Sequence, residues 1–149
     1  MGYQMLLILL SVILFSTVFL GTFNGIFMHS EIVYTSAYRL QAQKIADYYF
    51  QRIDADLLVA QTDGSGTTNF GSVFNTYSNL QTSVTIDAIT YNVNIRAIPC
   101  NQYGGTSSPS TNYRLVNTTV NFMVNSTDTL HVGTSANPLS KVYADNGMY

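Results

Sequence analysis

The spacing of apolar and polar positions along this chain changes period, and each change marks an expected element. From Met1 to Ser30 there is no Asp, Glu, Lys or Arg, and the run MLLILLSVILFSTVFL is almost unbroken in its apolarity. As a helix rising ~1.5 Å per residue, the ~26 residues from Tyr3 to Met28 reach ~39 Å, enough to cross a hydrocarbon layer ~30 Å thick with some tilt. A cleavable secretory signal has a basic start, a shorter apolar run and a small-residue cleavage site. No Lys or Arg precedes this run and no A-x-A site closes it, so it reads as part of the working protein.

Past Ser30 the stretch EIVYTSAYRLQAQKIADYYFQRIDADLLVAQ holds helix formers and meets no Gly or Pro before Gly64. Tyr38, Ala42, Ile45, Tyr49 and Ile53 follow steps of three and four, whereas Arg39, Gln43, Asp47 and Asp54 fall mostly elsewhere. That is a one-sided stripe, and it predicts that one face meets a core. Joined, the two halves make a helix of roughly 55 residues and ~80 Å, beyond the usual ~8–20 residues of a globular helix.

Thr62 to Gly71 (TDGSGTTNFG) reads as a turn-rich break, followed by an irregular segment pinned by Val73, Phe74, Tyr77 and Leu80. The period then becomes two. Val84 and Ile86 alternate with Thr85 and Asp87; after a short turn Tyr91, Val93, Ile95 and Ala97 alternate with Asn92, Asn94 and Arg96, an antiparallel hairpin ended by Pro99. The polar loop NQYGGTSSPSTN leads to a strand from about Tyr113 to Asn125, with Val116, Val120, Phe122 and Val124 on one face and Asn117, Thr119, Asn121 and Asn125 on the other. Thr129 to Val132 and Leu139 to Tyr143 are expected as short closing strands. The fold class is therefore α+β: residues 1–30 an apolar membrane or filament-core helix, 31–60 its amphipathic continuation, 61–149 a small antiparallel β head. Leu57, Ile53, Tyr49 and Ile45 are expected to dock on Val84, Ile86, Tyr91, Val93, Ile95, Val120 and Phe122.

Composition narrows the functional classes. With 9% charged residues and a net charge of −2, the chain has no basic field for nucleic acid. Its distal part, rich in Thr, Ser, Asn, Gly and Tyr, fits an exported surface. Cys100 is the single cysteine, so no intramolecular disulfide forms, and it reads as a small buried hydrophobe. No nucleophile elbow, H-E-x-x-H or phosphate-binding loop occurs, so no enzymatic activity is expected, and no cofactor or metal. His29 and His131 lack a ligand-spaced partner. Asp54 and Asp56 point ~200° apart on a helix and Asp63-Gly-Ser-Gly is a fragment of a calcium loop, so these read as solvated helix-end acids.

The order of elements, carried best by MGYQMLLILLSVILFSTVFLGTFNG, TYNVNIRAI and YRLVNTTVNFMVN, resembles the type IV pilin superfamily, including its archaeal relatives and the pseudopilins of secretion systems. The family's Glu at the fifth mature position is missing: that position is Leu7 if Gly2-Tyr3 is a leader boundary and Met5 if Met1 is the mature start. The resemblance implies a homopolymer, held in the membrane before assembly by pilus assembly machinery and then carried outside the cell as a filament. Attachment, surface interaction or motility would follow from the polymer. A membrane-tethered, pseudopilin-like component of a secretion or assembly machine is the alternative, and a plain anchor or an anchored exported enzyme comes after it. Arg39, Lys44 and Arg52, on the side read as external, run against the positive-inside tendency.

Three residue-level expectations follow. Leu6, Leu7, Leu10, Ile13, Leu14, Val18 and Leu20 are assigned to filament-core packing, with Ser11, Ser16, Thr17 and Gly21 permitting close helix approach. Gly21, Thr22, Asn24 and Gly25 are expected to be a weak point, each glycine costing ~1 kcal/mol relative to Ala, that the bilayer keeps helical and that opens once subunits leave the membrane for the fibre. Asn117 and Asn125 match the N-x-[ST] acceptor pattern on the outward face of the third strand, as candidate glycosylation sites.

Overall fold

A computed structural model of the protein describes residues 2–62, 69–124 and 128–145. It has the expected α+β architecture: a long N-terminal helix, α1 (Gly2–Thr62), a short helix α2 (Phe70–Thr76), and strands β1 (Leu80–Ile86), β2 (Ile89–Cys100), β3 (Ser110–Met123), β4 (Thr129–Val132) and β5 (Leu139–Ala144) in one antiparallel sheet. The chain divides into two compact units, Met1–Tyr38 and Arg39–Tyr149. The division lies eight residues beyond the charge-based boundary at Ser30, because it is residues from Gln41 onward that pack on the sheet.

In the second unit, the amphipathic half of α1 lies on one face of the sheet. Ala42, Ile45, Ala46, Tyr49, Ile53 and Ala60 are buried, while Arg39, Gln43, Asp47 and Asp54 are exposed. The expected stripe is thus the one used, with Ala46 added to it. Two alanines with no exposure let the helix backbone come close to the sheet. Leu57 is only half-buried, so docking weakens toward the end of the helix. The receiving face is made by Tyr91, Val93, Ile95 and Ala97 of β2 and Val116, Thr118, Val120 and Phe122 of β3, all buried, flanked by half-buried Val84 and Ile86 of β1. The Tyr91 and Phe122 rings lie 5.0 Å apart, and the Tyr91 hydroxyl donates to Gln41 Oε1 at 2.6 Å.

The β1–β2 hairpin pairs Ile86 with Ile89 across a two-residue turn, and Asp87 (φ 50°) and Ala88 (φ 65°) are both left-handed. Two positive φ values are what a type I′ turn demands, because its twist matches that of the strands. Strand β2 passes Pro99 by one residue rather than stopping at it; the register with β3 shifts between Pro99 and Cys100. The fourteen-residue β3 is long enough for two partners on one edge, β4 against Val120–Met123 and β5 against Tyr113–Thr118. Gly133 (φ 72°) makes that relay feasible: a Cβ there would sit 2.9 Å from the Thr118 carbonyl oxygen and 3.0 Å from the Leu139 nitrogen.

Where an irregular segment was expected, Phe70–Thr76 is helical. Its sequence holds Gly and Ser and has little intrinsic helix preference. The helix is secured at its start, where Asn69 Oδ1 accepts from the Ser72 amide and Ser72 Oγ accepts from the Asn69 amide, both at 2.9 Å, and by burial of Phe70, Val73 and Phe74. The Phe74 ring packs tilted against Tyr143, centroids 5.4 Å apart, and Arg114 lies over the Phe70 ring at 5.8 Å, so α2 closes the β5 end of the inner face.

Candidate functional site

Among the described residues, the first unit buries no side chain. Leu6, Leu7, Leu10, Ile13, Leu14, Val18 and Leu20 are each 46–61% exposed, and among the described residues 2–38 none is buried. A helix apolar on all sides needs a covering, either lipid or protein. This one is long and apolar enough to cross a membrane, and it is compatible with membrane insertion. Its hydroxyls agree with that. Ser11, Ser16, Thr17, Thr22, Ser30 and Ser36 each donate to a carbonyl three or four residues back, at 2.7–3.1 Å. Bound this way they present no unpaired donor to hydrocarbon.

Two different surfaces run along this segment. Phe15, Phe19, Phe23 and Phe27 form a ladder with ring centroids 6.3, 5.6 and 5.1 Å apart. Thr17, Gly21 and Gly25 follow the same four-residue step but lie about 200° from the phenylalanines two positions before them, on the opposite side of the helix. A Cβ added at Gly21 or Gly25 meets nothing within 4 Å, so the fold of the single chain gives no reason for glycine there. In the single chain α1 is helical through Gly21, Thr22, Asn24 and Gly25, and Thr22 Oγ1 donates back to the Val18 and Phe19 carbonyls at 3.1 and 2.9 Å; the expected opening belongs to the fibre.

In the second unit Asp54, Asp56, Tyr77, Lys141 and Tyr143 act as ties within the fold. Asp54 and Asp56 are not simply solvated acids: Lys141 Nζ donates to both Asp54 oxygens at 2.9 and 2.8 Å, and the Tyr77 hydroxyl donates to Asp56 Oδ2. Burial, with Asp56 beside it, pushes the Tyr77 phenol up from 10.0 to about 12. Burial, then Asp54, raises the Tyr143 phenol as well, and its hydroxyl donates to the Phe50 carbonyl at 3.2 Å. None of these partners was legible in the sequence, since the aspartates face residues far along the chain. Cys100 is buried as expected, which raises its thiol pKa. His29 is exposed, and His131 Nδ1 lies 2.8 Å from Asn121 Oδ1. Among the described residues no group of three or more His, Cys, Asp or Glu is placed to hold a metal. Asp63 and Asn125 lie outside the described residues. Asn117 is on the outer face, half-buried, with its Oδ1 accepting from Ser140 Oγ at 2.8 Å.

Comparison with known proteins adds no identity: no family model, no curated protein and no solved structure matches this chain.

Proposed function

We propose that this protein is the structural subunit of an extracellular filament, held in the membrane before assembly and polymerising through the apolar part of α1. The observation that carries the reading is that residues 2–38 bury no side chain in their own chain, while the same helix continues into a half that is docked on a sheet. Exposed apolar surface on this scale marks a contact with membrane or protein. The opposed phenylalanine ladder and glycine face favour copies of the chain over lipid alone. A ridge on one side and a shallow face on the other complement each other between neighbours, a head-to-tail contact that propagates as a helical filament when it does not close. Glycine costs ~1 kcal/mol against Ala in a helix, a cost that close approach of a neighbouring backbone offsets. The resemblance in layout to type IV pilin-like proteins points the same way and supplies the partner class, an assembly machinery acting on membrane-inserted subunits. The glycine face serves contact between helices still in the membrane; on transfer to the fibre the Gly21–Gly25 segment opens, neighbouring backbones, Thr22 and Asn24 satisfy the freed groups, and contact between copies rests on the apolar residues before Gly21.

Electron microscopy of surface-sheared material, with mass spectrometry of the fibres, tests the assignment: the expected result is fibres composed of this chain. Recovery of the chain only from membrane fractions, as a monomer, overturns the filament and leaves the tethered secretion component. A fibre map showing unbroken main-chain hydrogen bonding from Leu20 to Phe27 overturns the opening of the helix.

A further inference from the structure

The outer face of the sheet, opposite α1 and α2, carries a feature that neither the core nor the assembly helix uses. Gln81 pairs with Asn94, and Ser83, Asn92, Asn121 and His131 stand side by side across β1, β2, β3 and β4. A shallow groove of about 470 Å³ on this face is lined chiefly by Gln81, Ser83, Asn92, Asn94 and Asn121, with His131 outside it beyond Asn121. We propose that this groove binds a neutral saccharide chain.

Three observations lead there. Asparagine is depleted in strands, yet Asn92 and Asn94 both occupy exposed outer positions of the central strand β2, where threonine would be as well solvated and would suit the pleat better. A local preference broken without gain to the fold marks a site selected for something else. Second, the amides are available. No hydrogen bond within the described chain engages the side chains of Gln81, Asn92 or Asn94, whereas Asn121 is held by His131. Third, the groove lining has no ionisable and no aromatic residue. An anionic polymer would find no cation in it, and a protein partner would find none of the aromatic or arginine anchors that dominate protein interfaces.

What the groove offers is planar donor–acceptor pairs. Each carboxamide presents a carbonyl oxygen and an NH2 group together, a match for adjacent sugar hydroxyls, each of which donates and accepts. Neighbouring amides are ~4.8 Å apart across strands and ~6.8 Å apart along one strand, which spaces them for successive sugar units rather than for a single ring. This reading depends only on the head and stands or falls separately from filament assembly. If the subunits do polymerise, the groove repeats along the fibre and weak single sites add by multivalency.

The test uses the full chain in a detergent without a sugar headgroup, with maltohexaose, cellohexaose and chitohexaose as neutral probes and a galacturonate hexamer as the charged one. Calorimetric titration is expected to show binding of at least one neutral hexasaccharide and none of the galacturonate. The double variant Asn92→Thr/Asn94→Thr is expected to weaken that binding by about tenfold or more with an unchanged or higher thermal midpoint. Gln81→Ala, on the exposed edge strand, provides a second loss without touching the core, and Thr85→Ala, outside the groove, is expected to bind as the parent does. Absence of binding to all three neutral probes, equal binding of the galacturonate, or full retention by both lining variants overturns the proposal. So does a partner fraction in which the groove variants lose only a protein.

Discussion

Between Gly2 and Tyr38, α1 carries Leu, Ile, Val and Phe on every side and buries none of them; between Arg39 and Thr62 it has charge on most turns and buries Ala42, Ile45, Ala46, Tyr49 and Ile53. One helix thus has its more apolar half uncovered and its less apolar half packed. What decides burial within a chain is periodicity. A stripe of apolar residues specifies one neighbouring surface, whereas an all-round apolar helix specifies a medium or a set of neighbours. The two halves also treat polar groups differently. The hydroxyls of the first half are turned back on their own backbone, while the polar groups of the second reach out, Gln41 to Tyr91, Asp54 to Lys141 and Asp56 to Tyr77.

The sharpest way to break this comparison is a charge in the first half. Leu14→Lys places an ammonium mid-helix, which costs ~2.5–3.5 kcal/mol on the insertion scale. Membrane insertion and fibre yield are expected to collapse while the thermal transition of the head stays where it was. A variant that inserts and assembles at parental yield would show that this half needs no apolar surroundings.

Next in size is a truncation beneath the second half. Ile95→Ala removes a side chain with no exposure and should cost ~2–5 kcal/mol, read as a lower thermal midpoint of the full chain in detergent. Ile13→Ala, the same change in an exposed site, is expected to leave that midpoint alone. Equal responses at the two positions would erase the distinction between the halves.

The tyrosine ties give a pH signature confined to the second half. Because the folded-state pKa of Tyr77 is raised from 10.0 to about 12, its contribution to stability is whole below pH 10 and is lost as the pH climbs through 12. The raised Tyr143 phenol acts in the same direction. The thermal midpoint should fall between pH 10 and 12, less steeply in Tyr77→Phe; superimposable profiles would remove Tyr77 from the account.

The smallest effect concerns the hairpin. Ala88 has a φ of 65°, a region that penalises any side chain by ~1–2 kcal/mol. Part of that relief is cancelled by the added freedom of glycine in the unfolded chain, ~0.4–1 kcal/mol. Ala88→Gly should therefore stabilise the head by under ~1 kcal/mol, measured by denaturant titration, and a destabilised variant would count against the type I′ turn.

Much of this molecule could be read from local pattern. The length of α1, the stripe through Ala42, Ile45, Tyr49 and Ile53, the alternation in β2 and β3 and the limits of β4 and β5 all depend on residues two to four positions apart, and such spacing is written directly in the chain. The capping pair that secures α2 was there too, as Asn69 and Ser72, but a seven-residue helix containing Gly71 declares itself only once Phe70 and Phe74 have a surface to bury against. The candidate assembly surface was legible as an apolar segment, and its phenylalanine ladder and glycine face are consequences of helical geometry.

By itself, then, the sequence determined where helix and strands lie and which of their faces turn inward, because steric periodicity acts within a few residues. Only the tertiary structure decided that β4 and β5 share one edge of β3, that Lys141 meets Asp54 across 87 positions, and that Gln81, Ser83, Asn92, Asn94 and Asn121 gather around one groove. Those outcomes depend on strand order and register. Both are set by competition among long-range pairings whose loop-closure cost depends only weakly on separation, so no local pattern encodes them.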